Sequence, residues 1–363
     1  MSIIHQIALT LIKSVGSVTA KKLLDRFGSA EAIFAADEQQ LLEVEGIGRL
    51  TVSHILSKSA MAPAAEQLEL ISKYKIKTLF YTDDNYPQRL KNCYDAPVLL
   101  YYRGAANLNH PRIVSIVGTR NATAHGRMLC KQLIEALKPY DVLVISGLAY
   151  GIDIASHEQS LINNIPTVGV LAHGLDRIYP AVHHQTAVAM VASGGLLTEF
   201  PFNTIPVPGN FPRRNRIIAG ISDVTVVVEA AMKGGALITA DIANSYNRDV
   251  FAYPGRTTDE YGQGCNFLIK TSRAALLSQA KDLVYYMGWE TVKPIDTQVE
   301  LLLPPDLSEP ELKIVELLKP SRLRIDELTA KSGIQSHKIA LHLLNLEIKG
   351  VVISTPGMVY QLL

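Results

Sequence analysis

An alternation of short apolar runs and helical patterns over residues 111–287 is the feature that most constrains the fold of this 363-residue chain. The apolar runs fall at residues 113–117, 142–145, 167–171, 196–199, 224–228 and 250–253. Most are continuous rather than alternating, which is typical of strands buried on both faces of a parallel sheet. Helical patterns lie between them, at residues 124–137, 152–162, 182–193 and 237–246. We therefore predict an α/β domain over residues 108–290, with a Rossmann-like, doubly wound, mostly parallel sheet.

The first 107 residues predict a helical N-terminal domain followed by a connector. Two glycine loops, at residues 14–18 and 44–48, separate apolar helical stretches. The second loop has the apolar-x-Gly-apolar-Gly form of a helix-hairpin-helix or SAM-like domain, in which backbone N–H groups can face a DNA phosphate. A small helical packing module with glycine turns remains an equal alternative. The cations that would face phosphate in the first case are Lys21, Lys22, Arg26 and Arg49.

The C-terminal residues predict a winged-helix domain over residues 306–363, joined to the central domain by a linker at residues 291–305. Three helical patterns, at 311–318, 325–332 and 336–349, precede two short strands at 351–354 and 358–362. The third helix carries His337, Lys338, Glu347 and Lys349, and is only weakly basic. Reading of bases in a DNA groove and contact with a protein both remain open.

Composition excludes several classes of protein. The net charge is only +1, the hydrophobic fraction is 48% and the charged fraction is 19%, which argues against a polybasic binder and against extensive disorder. The three cysteines, Cys93, Cys130 and Cys265, are far apart and form no CxxC pair. We expect a reduced, cytoplasmic protein with no disulfide framework and no cysteine zinc site. Neither a signal peptide nor an apolar run of transmembrane length is present in the sequence.

Glycine-rich turns follow the predicted strands. In a doubly wound sheet, ligands bind beyond the carboxyl ends of the strands. Glycine lets the backbone approach a ligand closely there, and free N–H groups at helix N-termini attract anions. The turn residues that we single out are Gly118, Thr119, Arg120, Ser146, Gly147, Gly151, Arg177 and Gly235.

A local cluster of arginines lies in the stretch FPFNTIPVPGNFPRRNRIIAG, residues 200–220. No acidic residue occurs between Glu199 and Asp223. A cationic rim in this stretch would suit phosphate, either of a free nucleotide or of a nucleic-acid backbone. The alternative is the solvated first turn of a helix, which is the usual role of a short charge run. The candidate residues are Phe211, Arg213, Arg214, Asn215 and Arg216.

Motifs of common enzyme classes are missing from the sequence. The turn after the first strand, GTRNATAHG, lacks the GxGxxG spacing, and neither a P-loop, a GxSxG elbow nor an HExxH motif occurs. His183 and His184 are adjacent, so on a helix they point about 100° apart and make poor joint metal ligands. Cys265 has no identifiable base beside it, which favours a buried structural thiol. We predict no catalytic residue, no metal ligand and no cofactor.

A series of motifs then identifies a resemblance. GTR, SGLAYGIDIASHEQSL, GLDRIYP, NFPRRNRIIAG, EA with GGALITA, and YPG with GCNFLI occur in this order. Together they resemble DprA, the bacterial DNA-processing protein A, also called the Smf family. The terminal regions are similar to the helical and winged-helix domains of many members. The resemblance implies a homodimeric, non-enzymatic protein that binds and protects incoming single-stranded DNA in natural transformation and loads the recombinase RecA onto it.

The resemblance also implies which residues line the DNA pocket. Arg120 and the segment from Phe211 to Arg216 would contact the strand through side chains, and Ser146, Gly147 and Gly151 through the backbone. Many relatives carry lysine directly after the Tyr-Pro pair of the third motif, where this chain has Ala181. Either a phosphate contact is lost there, or Arg177 supplies it.

Two alternatives to this function remain. Rossmann-like enzymes of the lysine-decarboxylase-like (LOG) group cleave nucleoside monophosphates with a PGGxGT signature and an acidic partner. The corresponding stretch here reads MKGGALIT and follows Glu229, which would be the acid. A structural adaptor that works through both terminal domains is the other alternative, and it would be favoured if the arginines proved dispensable.

Overall fold

A nine-stranded sheet forms the centre of the part of the chain that this computed structural model describes, namely residues 2–289, 304, 307–355 and 357–363. Across the sheet the strands follow the order β1-β2-β6-β5-β4-β3-β7-β8-β9, and only the pairs β1–β2 and β2–β6 are antiparallel. The strands are β1 (Lys77–Phe80), β2 (Leu99–Gly104), β3 (Ile113–Val117), β4 (Leu143–Ser146), β5 (Thr167–Val170), β6 (Gly195–Thr198), β7 (Val224–Val227), β8 (Asp249–Ala252) and β9 (Ala275–Leu276). The predicted doubly wound, mostly parallel sheet is confirmed, and β3 to β8 are the six predicted strands.

The N-terminal domain is a bundle of short helices that packs against one end of the sheet. The helices are α1 (Ile3–Leu11), α2 (Ser17–Phe27), α3 (Ala30–Ala35), α4 (Glu38–Leu42), α5 (Arg49–Leu56) and α6 (Met61–Lys73). Their apolar core also takes in Phe80, Leu99 and Tyr101 from β1 and β2. Two strands of the segment that ends at residue 107 therefore belong to the large sheet.

Three of the four cations that we proposed to face phosphate in this domain have protein partners. The Nζ of Lys21 donates to the carbonyls of Cys93 and Tyr94, at 2.9 and 2.8 Å, and burial lowers the pKa of Lys21 to about 8. Lys22 pairs with Glu45, and Arg26 pairs with Glu43. Arg49, at the start of α5, is exposed.

Helices cover both faces of the sheet in the central domain. Helices α8, α9 and α14 pack on one face, and α11 and α12 pack on the other. The helices are α7 (Gln88–Lys91), α8 (Ala124–Leu137), α9 (Ile152–Ile162), α10 (His184–Ser193), α11 (Asn210–Ile221), α12 (Gly235–Ser245), α13 (Glu260–Lys270) and α14 (Ala280–Tyr286), with 3₁₀ turns at Lys138–Tyr140 and Ala181–His183. None of the helices in the described residues is both long enough and apolar enough to cross a membrane.

The C-terminal residues form the predicted winged-helix domain. It comprises α15 (Glu309–Leu318), β10 (Leu323–Arg324), α16 (Ile325–Ser332), α17 (Ser336–Ile348), β11 (Val352–Thr355) and β12 (Val359–Leu362), with the three strands in the order β10-β12-β11. Ile314, Leu328, Ile339 and Leu346 are among the side chains of its core. Apart from residue 304, the predicted linker at residues 291–305 lies outside the described residues.

Buried ion pairs join the winged-helix domain to the amino-terminal edge of the sheet. Asp326 of α16 pairs with Arg248, which directly precedes β8, and accepts a hydrogen bond of 3.0 Å from the Nδ2 of Asn92. Burial alone would raise the pKa of Asp326, but the charge and hydrogen bonds of these partners hold it below its ordinary value. Arg324 of β10 contacts Asp223, at the start of β7, at 2.8 Å. The domain therefore docks through charge pairs that are largely removed from water.

We predict that Asp326→Ala releases the winged-helix domain from the sheet. Removal of one member of a buried pair costs about 3–5 kcal/mol, because the other charge stays buried without a partner. Small-angle X-ray scattering should then give a larger radius of gyration than for the wild type. Glu316→Ala is the matched control, since Glu316 is an exposed carboxylate of the same domain, paired with Lys319. Equal radii for the two variants would contradict this role of Asp326.

Candidate functional site

The candidate site lies at the carboxyl edge of the sheet, where the strand order reverses. Strand β3 pairs with β4 on one side and with β7 on the other. The chain leaves β3 toward α8 on one face and leaves β7 toward α12 on the opposite face. The turns after these two strands therefore diverge and open a crevice, which is where doubly wound folds bind ligands.

A buried carboxylate fixes the turn that carries Arg120. Glu229, which is 8% exposed, accepts hydrogen bonds from both the backbone N–H and the hydroxyl of Thr123, the N-cap residue of α8. The backbone carbonyl of Glu229 accepts the N–H of Thr119 at 2.7 Å. The turn is thus held at both ends, while the Arg120 side chain between them is exposed. This leaves the guanidinium of Arg120 on a rigid support at the mouth of the crevice.

Glycine is required where the turns approach one another. Gly151 has a φ of +81°, and a Cβ there would lie 2.1 Å from the carbonyl oxygen of Thr119. A Cβ on Gly147 would lie 2.0 Å from Nη1 of Arg214 and 2.3 Å from Oδ2 of Asp153. Gly118 is similarly tight, with the Ile152 side chain 2.4 Å from its Cβ position. A side chain at Gly151 would therefore collide with the backbone of the turn that carries Arg120, and one at Gly147 would displace the guanidinium of Arg214.

The clustered arginines diverge because they belong to one helix, α11, in which successive side chains point about 100° apart. Arg214 is 6% exposed and points into the crevice, where its Nη1 donates to the carbonyl of Val170 at 2.7 Å. Arg216 points away and pairs with the buried carboxylate of Glu199. Arg213 is more than half exposed, lies over the ring of Phe200 and is 3.6 Å from Glu199.

These directions correct the prediction of a single cationic rim. Arg214 is the member of the cluster that shares the crevice with Arg120. Arg216 lies outside it, because its guanidinium neutralises Glu199 and is 4.0 Å from Asp95. Asn215 is largely buried and lines the crevice, with its Nδ2 3.4 Å from the carbonyl of Gly235.

Burial shifts the pKa values of the groups around Gly147. It lowers the pKa of Arg214, an effect that Asp153 opposes, and it raises the pKa of Asp153, an effect that Arg214 opposes. It also lowers the pKa of His157 to about 4, so this imidazole is neutral. The two ring nitrogens of His157 bond the Thr167 hydroxyl and the Gly147 carbonyl, at 2.7 and 2.6 Å. The ordinary pKa of an arginine lies far above neutral pH, and the nearby carboxylate of Asp153 favours the charged form of Arg214.

Two adjoining cavities make up the site. The switch-point cavity, about 310 Å³, contains Lys233 and the N-terminus of α12 at Gly234 and Gly235, whose N–H groups have no side-chain cap. The aromatic cavity, about 80 Å³, is lined by side chains from the loops after β4 and β5, namely Tyr150, His173 and Tyr179. The residues common to both cavities are Arg120, Ala149, Phe211 and Arg214.

The ring of Phe211 lies beside both shared arginines. The guanidinium of Arg120 is 5.1 Å from the ring centroid and that of Arg214 is 6.0 Å from it. Tyr179 approaches the same ring, with 6.4 Å between centroids. Positive charge and aromatic surface therefore meet at one place, which suits a ligand that has both a phosphate and a planar ring.

Like Arg213 and Arg216, two further predicted residues do not present their side chains to these cavities. Ser146 is fully buried, and its hydroxyl donates to the carbonyl of Ile116. Arg177 pairs with Asp176 at 2.8 Å and lines a separate cavity with Tyr74 and Phe202. Arg177 is thus not in a position to replace a lysine at Ala181.

The sequence reasoning missed Tyr150, Asp153, His173, Tyr179 and Lys233 as site residues. Each lies in a glycine-rich turn after a strand, or in the helix that follows it, so their position at strand ends was an available signal.

An acid catalyst at Glu229, a cysteine nucleophile and a metal site have less support at this edge of the sheet. Both carboxylate oxygens of Glu229 accept hydrogen bonds from Thr123, so this side chain fixes the N-cap residue of α8. Cys265 is 1% exposed, and burial raises its pKa to about 12. No group of three or more His, Cys, Asp or Glu side chains suited to a metal ion occurs among the described residues.

Comparison with known protein families gives three matches. Residues 77–288 match the family described as DNA recombination-mediator protein A. Residues 302–358 match the DprA winged-helix domain, and residues 7–58 match the helix-hairpin-helix motif. These three segments correspond to the central, C-terminal and N-terminal domains described above.

Individual relatives agree with these matches. The protein Smf of Synechocystis is 33% identical to this chain over 98% of both sequences. The X-ray structure of DNA processing protein A from Streptococcus pneumoniae is 31% identical, with a TM-score of 0.59 over 74% of this chain and 97% of that one. DNA processing protein A from Helicobacter pylori, whose structure concerns its single-stranded DNA binding mode, is 28% identical, with a TM-score of 0.53 over 58% and 94% of the two chains.

We predict that Arg216→Ala and Arg213→Ala, three residues apart on α11, differ sharply in stability. Arg216→Ala should lower the free energy of unfolding by about 3–5 kcal/mol, because Glu199 would remain buried without its main partner. Arg213→Ala should cost about 0–1 kcal/mol, as expected of an exposed pair. Urea unfolding followed by circular dichroism measures both values. Similar values for the two variants would contradict the division of roles on α11.

Proposed function

The chain belongs to the DNA recombination-mediator protein A family, also called DprA or Smf, and we propose that it binds single-stranded DNA in the switch-point and aromatic cavities. The observation that carries this proposal is the position of Phe211, which lies beside both Arg120 and Arg214 where the two cavities meet. The single-stranded DNA binding mode studied in the Helicobacter pylori relative supports the same class of ligand.

The switch-point cavity is suited to the strand phosphate. Arg214 is buried and held by the Val170 carbonyl, so its charge is fixed in place before a ligand arrives. Lys233 and the free N–H groups at the start of α12 add two further sources of positive potential. The exposed Arg120 completes the cavity and is free to follow the strand.

The aromatic cavity is suited to a base from the same strand. Phe211 and Tyr179 offer ring faces, and stacking on aromatic side chains tolerates every base because each base has a π-face. A base can reach these rings only when it is unstacked and unpaired, which favours single strands over duplex DNA. Affinity should therefore depend little on sequence and strongly on salt.

We predict that Arg120→Ala weakens binding of a fluorescein-labelled oligothymidine by about 1–3 kcal/mol, or about 5- to 150-fold, because a phosphate or stacking contact is lost. The slope of log K against log salt should become less steep by about 0.7 for each phosphate contact removed. Fluorescence anisotropy at several salt concentrations measures both quantities.

Arg127→Ala is the matched control, since Arg127 is an exposed arginine in α8 of the same domain and lines neither cavity. It should bind like the wild type. Unchanged affinity of Arg120→Ala, or an equal loss in Arg127→Ala, would exclude the assigned site.

We propose further that this protein is a non-enzymatic homodimer that protects incoming single strands during natural transformation and loads RecA onto them. The description of the family as a recombination mediator supports the coupling to recombination. The resemblance of the motif series to DprA supports the remaining points. A homodimer would present two such sites to one strand and so raise the avidity of binding.

We predict that the wild type stimulates RecA on a strand covered with single-strand-binding protein, and that Arg120→Ala does so less, in proportion to its loss of DNA affinity. The ATPase activity of RecA, which depends on its assembly on DNA, provides the measurement. Arg127→Ala should stimulate like the wild type. Full stimulation by Arg120→Ala would separate RecA loading from the assigned DNA site.

A further inference from the structure

A second cleft lies between the central domain and the winged-helix domain, at the edge of the sheet opposite to the DNA site. Its volume is about 510 Å³. Its walls come from the chain just before β3, from the end of α14 and from β10 and α16 of the winged-helix domain. It does not share lining residues with the switch-point or the aromatic cavity.

The cleft has an excess of positive charge. The carboxylates on its walls, Asp326 and Glu327, already have partners: Asp326 pairs with Arg248, and Glu327 accepts the backbone N–H of Arg324. The cationic side chains on its walls come from both domains and are Arg89, Arg112, Arg322, Arg324 and Lys331.

Two of these cations are neutralised, because Arg89 and Arg324 share the buried carboxylate of Asp223. The other three, Arg112, Arg322 and Lys331, have no carboxylate within ion-pair distance in the part of the chain that the structure describes. Arg112 donates to the carbonyl of Tyr140, which leaves its charge unbalanced. Arg322 and Lys331 are exposed.

We propose that this cleft binds a phosphate-bearing ligand, which contacts Arg112 of the central domain together with Arg322 and Lys331 of the winged-helix domain. Three unpaired cations call for a ligand with several negative charges, and a chain of phosphates supplies them with an oxygen geometry that fits the guanidinium fork. The cleft volume falls in the range of about 300–1,000 Å³ that is usual for sites of small ligands. The phosphates would come from a free nucleoside polyphosphate or from the backbone of a DNA strand.

The ligand would also act on the arrangement of the two domains. Its contacts require the winged-helix domain to be docked, since Arg322 and Lys331 leave the cleft if that domain separates. A ligand that binds only the docked state stabilises it by mass action. The bound ligand would thus add to the Arg248–Asp326 pair, which joins the two domains when no ligand is bound.

The single tryptophan of the chain makes the cleft directly observable. Trp289 is 4% exposed and lines the cleft, so its fluorescence reports on this place and not on the DNA site. Inorganic triphosphate, which does not absorb at the excitation wavelength, is the first probe, and calorimetry measures its affinity in parallel. We expect a saturable change in the wild type. The double variant Arg322→Glu/Lys331→Glu should bind at least tenfold more weakly.

The matched control is Lys313→Glu, a charge reversal at an exposed lysine of the winged-helix domain that does not line the cleft. It should bind triphosphate like the wild type. The proposal is overturned if the wild type shows no saturable binding of triphosphate by either method. It is also overturned if Lys313→Glu weakens binding as much as the double variant does.

Two further binding experiments identify the source of the phosphates and distinguish binding in this cleft from binding at the DNA site. Calorimetry with ATP tests a free nucleotide, and oligothymidine binding in an Arg120→Ala background tests a strand. A tenfold further loss of oligothymidine affinity on adding Arg322→Glu/Lys331→Glu supports the strand, whereas loss of ATP binding alone supports the nucleotide. Arg120→Ala by itself should leave the triphosphate response intact, so failure of the DNA site and failure of the cleft give different results.

Discussion

Strand β7 carries a buried carboxylate at each end, and the organisation of the molecule depends on how these two charges are satisfied. An ionised carboxylate removed from water must be paired and hydrogen-bonded, or its burial costs several kcal/mol. Asp223, before the strand, accepts bonds from Arg89, Arg324 and the N–H of Ile113. Glu229, after the strand, accepts two bonds from Thr123. The first set joins the domains, and the second fixes the turn of the candidate DNA site.

The proposed DNA site and the proposed phosphate-binding cleft lie at opposite edges of one sheet. At the carboxyl edge, the hydrogen bond to the Val170 carbonyl holds the buried Arg214 in place next to Phe211. Fixed charges lose little freedom when a ligand binds, which favours affinity for a phosphate. At the amino edge, arginines meet the winged-helix domain and leave a positively charged cleft.

Strong local patterns explain which parts of the fold could be predicted. Strands β3 to β8 lie within one residue of their predicted positions, because fully buried strands appear as continuous apolar runs. Strands β1 and β2 were not predicted. β1 pairs with β2, and β2 joins the sheet through β6, which lies about a hundred residues away in sequence, where no local pattern reports on it. Helix α11 was considered only as the alternative for the arginine stretch, because Pro212 and Gly220 obscure its pattern, although proline is tolerated in a first helical turn.

The sequence by itself determined the domain order, the doubly wound sheet and the presence of a cationic turn at Arg120, because periodicity and glycine turns are local properties of the chain. Only the tertiary structure decided which arginines face the site. Arg213, Arg214 and Arg216 are nearly adjacent in sequence, but side chains of a helix point in different directions. Arg216 of α11 therefore faces Glu199 and forms an ion pair, whereas Arg214 points into the crevice. Side-chain direction depends on a partner from a distant segment, and that partner becomes a neighbour only when the sheet has formed.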